Sequence, residues 1–167
     1  MKLSKLVTAV ALTVTAFSSF ADTSTTALDL STGSTFFGRT PVGTFTDTYT
    51  FSILSASNLV NGSGSTSAIG DQDLDFTSLT LQTSAGVTLG TFVPLAGNTD
   101  ANEDYKLPIM SLAAGSYKLV ISGVNSPAAA SYSGTFAVTP VPEPETYALM
   151  LAGLGAIGFV ARRRRTS

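Results

Sequence analysis

The sequence predicts an all-β protein: a single β-sandwich, jelly-roll-like, with an N-terminal signal peptide before it and a single transmembrane helix after it. Three observations carry this. Short stretches alternate apolar and polar residues, as half-buried strands do. Gly, Asn, Ser and Pro punctuate those stretches. No stretch between residues 22 and 140 repeats apolar residues at the helical period, so two packed sheets are the natural way to bury the alternating faces.

Composition narrows the chemistry. The 167 residues are enough for one domain with its own core. There is no Cys, no His and no Trp. Disulfides, thiolate nucleophiles and the usual general base near neutral pH are therefore excluded, and Ser-His-Asp or Cys-His arrangements cannot be built. The formal charge of −2 hides an uneven distribution. Between Asp22 and Pro140, three bases (Arg39, Lys106 and Lys118) face nine acids, a net of −6. Such a body has no electrostatic footprint for nucleic acid.

Residues 1–21 have the layout of a signal peptide. Lys2 and Lys5 precede an apolar run from Leu6 to Phe17, and Ser19-Phe20-Ala21 places small residues where a signal peptidase reads them. Cleavage is expected between Ala21 and Asp22.

Residues 22–140 form the body. Phe45-Thr46-Asp47-Thr48-Tyr49-Thr50-Phe51 reads as a strand with its aromatics on one face and Thr and Asp on the other. Asn61 to Ser67, "NGSGSTS", reads as a flexible loop by composition. Leu79 and Leu81, then Val87 and Leu89, alternate around Ser84-Ala85-Gly86, a hairpin turn. Tyr117, Leu119 and Ile121 follow Ala114-Gly115, and Tyr132 to Val138 supplies the last strand. Clustered hydroxyls at 23–26 and 44–50 suit a solvated sheet face and are also potential O-glycan acceptors.

Asp71, Asp73 and Asp75 stand at alternating positions and would share one face of a strand, an oxygen-rich set of the kind Ca²⁺ prefers. The EF-hand pattern needs Gly after the third acid, and Phe76 stands there, so a solvated turn entering a strand is the other reading. Asp100, Glu103 and Asp104 form a second acidic patch, read as solvated. A glycosidase would need paired acids, and the composition offers no Trp for a sugar ring.

Residues 141–167 form a three-part tail. Pro142 and Pro144 keep Glu143 in an extended, readable backbone over 141–146. The uncharged run 147–161 follows. As helix it spans about 22 Å at ~1.5 Å per residue, against a ~30 Å hydrocarbon core, and it would insert by local bilayer thinning. Arg162, Arg163, Arg164 and Arg165, within 162–167, hold that end at the cytoplasmic face. Ala148, Ala152 and Ala156 form a ridge of small residues along the helix.

"VPEPETYALMLAGLGAIGFVARRRR" resembles the PEP-CTERM sorting signal, the target of exosortase in Gram-negative bacteria that make extracellular polysaccharide. The resemblance implies that a membrane-embedded cysteine transpeptidase reads Pro142-Glu143-Pro144, removes the anchor, and releases the body or transfers it to the surface. Phe45, Asp47, Tyr49 and Phe51 are similar to the strand motif of the FxDxF subgroup of such proteins, with Tyr49 in place of the second Phe. A Tyr there buries its ring and leaves its hydroxyl at an edge. The strand pattern over residues 43–138 is more loosely similar to bacterial pre-peptidase C-terminal domains, which are small sandwiches attached to secreted enzymes.

The expected protein is therefore not an enzyme. It is exported, held in the inner membrane as a precursor and then placed on the cell surface or outside. There it serves as a structural or adhesive component of exopolysaccharide or biofilm. Its expected partners are signal peptidase, exosortase, the membrane and the polysaccharide. A carbohydrate- or calcium-binding module is the alternative.

Overall fold

The structure is a computed structural model that describes residues 21–68, 71–99, 102–126, 130–141 and 144–165. The signal-peptide segment before Ala21 lies outside the described residues, as do Pro142, Glu143 and Asp100.

Among the described residues the strands are β1 (Asp22–Ala27), β2 (Ser34–Arg39), β3 (Gly43–Ile53), β4 (Asn58–Ser67), β5 (Leu74–Thr83), β6 (Thr88–Thr91), β7 (Val93–Pro94), β8 (Asp104–Leu112), β9 (Gly115–Asn125) and β10 (Ser131–Pro140). They build two five-stranded sheets, ordered β1-β3-β9-β5-β6 and β2-β10-β4-β8-β7. Every pairing is antiparallel except β1 with β3, where Asp22 lies beside Phe45 and Ala27 beside Thr50. The expected sandwich is present.

Period two explains the core. Along β3 the odd positions from Phe45 to Ile53 are buried and the even ones are not. On β10 Tyr132, Phe136 and Val138 face them from the other sheet. Phe45 stacks on Tyr132 with ring centroids 5.6 Å apart, and Phe51 meets Phe136 at 4.7 Å. Aromatic pairs in these geometries add about 0.5–1.5 kcal/mol beyond the area they bury. The hairpin at Ser84-Ala85-Gly86 closes as expected, with Gly86 at φ +92° supplying the left-handed turn residue.

Residues 61–67 correct the sequence reading. They are not a loop but most of β4, which runs between β10 and β8 inside the second sheet. Gly62 and Gly64 face inward. A Cβ on Gly62 would stand 3.2 Å from Phe136 and 3.3 Å from Phe92, and one on Gly64 would stand 3.0 Å from Leu79. Large side chains from β5, β10 and the link between β6 and β7 occupy the space over these glycines. The composition that suggests flexibility reflects a close approach of neighbours.

The tail is helical over α1 (Pro144–Arg165). This extends the expected 147–161 helix at both ends. Pro144 takes the first helical position, where a missing N–H costs nothing. Glu145 in the first turn and arginines in the last complement the helix dipole.

Candidate functional site

β3 and β2 build one buried polar constellation. Because Asp47 shares the parity of Phe45, Tyr49 and Phe51, it points inward and is 1% exposed. This corrects the expectation that Asp47 faces out with the threonines. A buried carboxylate needs a counter-charge and donors, and Arg39 at the end of β2 supplies both. Its Nε donates to Asp47 Oδ2 at 2.8 Å, and its Nη2 lies 2.8 Å from Oδ1, a two-point pairing. Its Nη1 reaches Asp22 Oδ2 at 2.8 Å. Asp22 Oδ2 also accepts the N–H of Val42 at 3.0 Å.

β1 and β2 are edge strands of different sheets, so Arg39 ties the two edges together. Tyr132 of β10 donates a hydrogen bond to Asp47 Oδ2. The Tyr49 and Tyr132 hydroxyls are 2.8 Å apart in the interior. The Tyr49 hydroxyl is therefore buried in this network, not left at an edge as expected.

The electrostatics follow from these contacts. The Arg39 guanidinium is held in its charged form above its ordinary value, first by its hydrogen bond with Asp47. Burial pushes the Tyr132 hydroxyl up, and the Asp47 carboxylate beside it adds to that. Burial likewise raises Tyr49. The carboxyl of Asp22 is lowered, first by its hydrogen bond with Arg39 and then by the Val42 N–H. These five side chains point at one another, and together they fix β1, β2, β3 and β10 in one register. The motif Phe45, Asp47, Tyr49, Phe51 is thus the inner face of one strand, and Arg39 and Tyr132 are the partners that sequence reasoning missed. The parity of Asp47 among buried aromatics was the available signal, and Arg39 is the one base near it in the chain.

The acidic stretch is placed differently from its expectation. β5 begins at Leu74, so Asp71 and Asp73 stand in the segment before it and only Asp75 lies in the strand. The three carboxylates do not share a strand face. Asp71 and Asp75 are exposed and Asp73 is half-buried, its backbone carbonyl accepting the N–H of Ser126 at 2.9 Å. Among the described residues no group of three or more carboxylates is drawn together to hold a metal ion.

Glu103 is not simply solvated. Its carboxylate accepts the N–H of Phe76 at 2.8 Å and the Tyr105 hydroxyl at 3.3 Å, joining β5 to β8.

The outward face of the first sheet carries hydroxyls in register. Thr46 and Ser122 are 3.0 Å apart, and Ser52 and Ser116 are 3.2 Å apart. At one end of the sandwich this face runs into a cleft of about 980 Å³. Its walls are the segment after β1, the end of β3 and the start of β9, and Pro140 stands on its rim.

In the tail, Pro144 opens α1 and Arg162 to Arg165 occupy its last turn. The described side chains from Glu145 to Arg163 are all exposed, with Leu149 at 74% and Phe159 at 69%. No helix among the described residues is long and apolar enough to cross a membrane.

Comparison with known proteins agrees with this division. Residues 140–165 match the PEP-CTERM protein-sorting motif. The chain is an exported protein directed to exosortase, and the side chains described within α1, from Glu145 to Arg163, are the part of that signal that the body leaves uncovered. No curated protein matches the chain. Among solved structures, it is similar to PliG of Aeromonas hydrophila, a periplasmic lysozyme inhibitor of g-type lysozyme. That likeness has 13% identity and a TM-score of 0.39 over 71% of this chain and 99% of that one. It is also similar to the pre-peptidase C-terminal domain of collagenase from Bacillus anthracis, at 15% identity and a TM-score of 0.38 over 71% and 96% of the two chains. Likenesses of this size carry no argument about activity.

Proposed function

We propose that the mature protein is a non-enzymatic structural or adhesive component of the extracellular polysaccharide matrix, displayed on or released from the cell surface. The observation that carries this reading is the contrast between a body whose buried carboxylate, Asp47, is engaged with Arg39 and Tyr132 and an α1 whose described apolar side chains are all uncovered. The uninterrupted apolar run spans about 22 Å at ~1.5 Å per residue. The precursor is held by it as a short anchor with local thinning of the bilayer, and Arg162–Arg165 stay on the cytoplasmic side. Exosortase then reads Pro142-Glu143-Pro144 and frees the body.

Substituting Glu143 tests the sorting step. Glu143→Ala leaves a membrane-bound precursor in the native host, seen as a heavier band in the envelope fraction. Normal release of that variant contradicts the reading.

A further inference from the structure

The two ends of the sandwich differ in charge. One end holds the start of β1, the β2–β3 link and the start of β5 and β8. Asp22, Asp71, Asp73, Asp75, Glu103 and Asp104 all stand there, with Arg39 committed to Asp22 and Asp47. At the other end β3 passes into β4 and β8 into β9. Among the described residues of the body, Asp29 is the one acid at that end, its carboxylate accepting the N–H of Ser31 at 2.9 Å. Lys118 reaches the same end, since a Cβ added to Gly86 in the β5–β6 turn would stand 3.9 Å from its Nζ.

This second end is also where the chain leaves for the tail. β10 closes with Pro140 beside Asn58, and the N–H of Val141 donates to the carbonyl of Ser57 at 3.0 Å. Pro144, the first residue of α1, is three residues further on, about 10 Å at full extension. The apolar run starts at Tyr147, roughly 5 Å beyond that along a helix. The acidic end is about 35 Å away, because β3 runs the length of the sandwich with 11 residues.

The turn that holds Val141 also presents Leu54. Its side chain is 93% exposed, the highest value of any large apolar residue among those described. The turn is braced from within. Ser55 Oγ donates to Asn58 Oδ1 at 2.6 Å, Asn58 Nδ2 donates to the Ser55 carbonyl at 2.8 Å, and Asn58 itself is buried. Val87, in the β5–β6 turn at the same end, is exposed as well.

We propose that, while α1 is inserted, this end of the body rests on the bilayer surface. Leu54 enters the headgroup layer, Lys118 lies near the lipid phosphates, and the acidic end points away. A lipid surface is the occupant because the tether ends in it, and a tether of about 10 Å holds the exit end close. An anionic surface also repels the acidic end more than the exit end, where Asp29 stands against Lys118. The inference rests on the anchor reading above. Its consequence is that Pro142-Glu143-Pro144 is kept at the level where a membrane-embedded enzyme reaches it.

The chain has no Trp, so a single introduced Trp reports its own surroundings. Leu54→Trp, Val42→Trp at the acidic end and Phe159→Trp in α1 each replace an exposed side chain. The full chain is expressed in a bacterium without exosortase, so that the tail stays on. It is then reconstituted into vesicles of phosphatidylethanolamine and phosphatidylglycerol, with and without bromine on the acyl chains near the headgroup. The expected result is a blue-shifted emission for Leu54→Trp that loses intensity to brominated lipid, as Phe159→Trp does, while Val42→Trp emits as in water. An unquenched Leu54→Trp beside a quenched Phe159→Trp overturns the docking and leaves the anchor standing. A Leu54→Trp emission that is blue-shifted but unquenched marks a contact with a second copy and overturns the lipid assignment. Equal quenching of Val42→Trp shows that the body has no preferred end and overturns it too. An unquenched Phe159→Trp removes the anchor reading, and the docking with it.

Discussion

The body and the tail spend their apolar residues in opposite ways. In β3, Phe45, Tyr49, Phe51 and Ile53 are all at or below 5% exposure, because alternation turns them toward β10. In α1 the side chains from Tyr147 to Val160 are uncovered, although that run is as apolar as any strand of the body. Apolar side chains that a fold does not bury need another environment. The difference teaches that the body stands on its own contacts, while α1 is written for a surface outside the molecule. Loss of a body residue should therefore register as lost stability, and loss of a tail residue as lost targeting.

The strongest challenge to this division is Asp47→Ala. It leaves the Arg39 charge and the Tyr132 hydroxyl without their buried partner, which should cost about 3–5 kcal/mol, read by denaturant unfolding. A loss below about 1 kcal/mol would show that the constellation does not hold the sheets together.

Next in size is Gly134→Ala. A Cβ there collides with the ring of Phe37 and the carbonyl of Ser63, and overpacking of this kind costs about 1–3 kcal/mol. Tyr49→Phe removes one buried hydroxyl pairing while Tyr132 keeps Asp47, so about 1 kcal/mol is expected.

A smaller effect is expected with pH. The folded carboxyl of Asp22 is lowered from an ordinary value of 3.8 by Arg39. Its contribution is therefore present above the unfolded value and is lost as pH falls through the folded one. Melting temperatures of the wild-type chain should drop below about pH 4, and Asp22→Asn should flatten that acid limb. Smallest of all, Ile157→Ser in α1 should leave the unfolding of the body unchanged within about 0.5 kcal/mol and reduce only its partition into lipid vesicles.

Much of this was legible in the chain. Alternation located β3, β5, β9 and β10, and the turn residues placed the hairpin at 84–86, because both signals are local. What sequence hid was non-local. β4 looked like a linker because nothing near Gly62 and Gly64 says that Phe92, Phe136 and Leu79 come to rest on them. The charge of Asp47 points to an outward position, although its parity with Phe45 and Tyr49 puts it inside. The charge could be buried only because Arg39, eight residues earlier, returns to it from the other sheet. Asp71, Asp73 and Asp75 alternate in sequence, but the start of β5 at Leu74 breaks the alternation in space. The sorting motif of the tail was legible because its signal is linear, whereas the extension of α1 to Pro144 and Arg165, beyond 147–161, was not.

The most direct measurement is the intact mass of the protein recovered from the envelope and the medium of its native host. A species that begins at Asp22 and ends within Pro142–Pro144 is the predicted result, with or without added mass on Ser or Thr. A species that still carries Arg162–Arg165 in both fractions would contradict it, and would make the tail a permanent anchor.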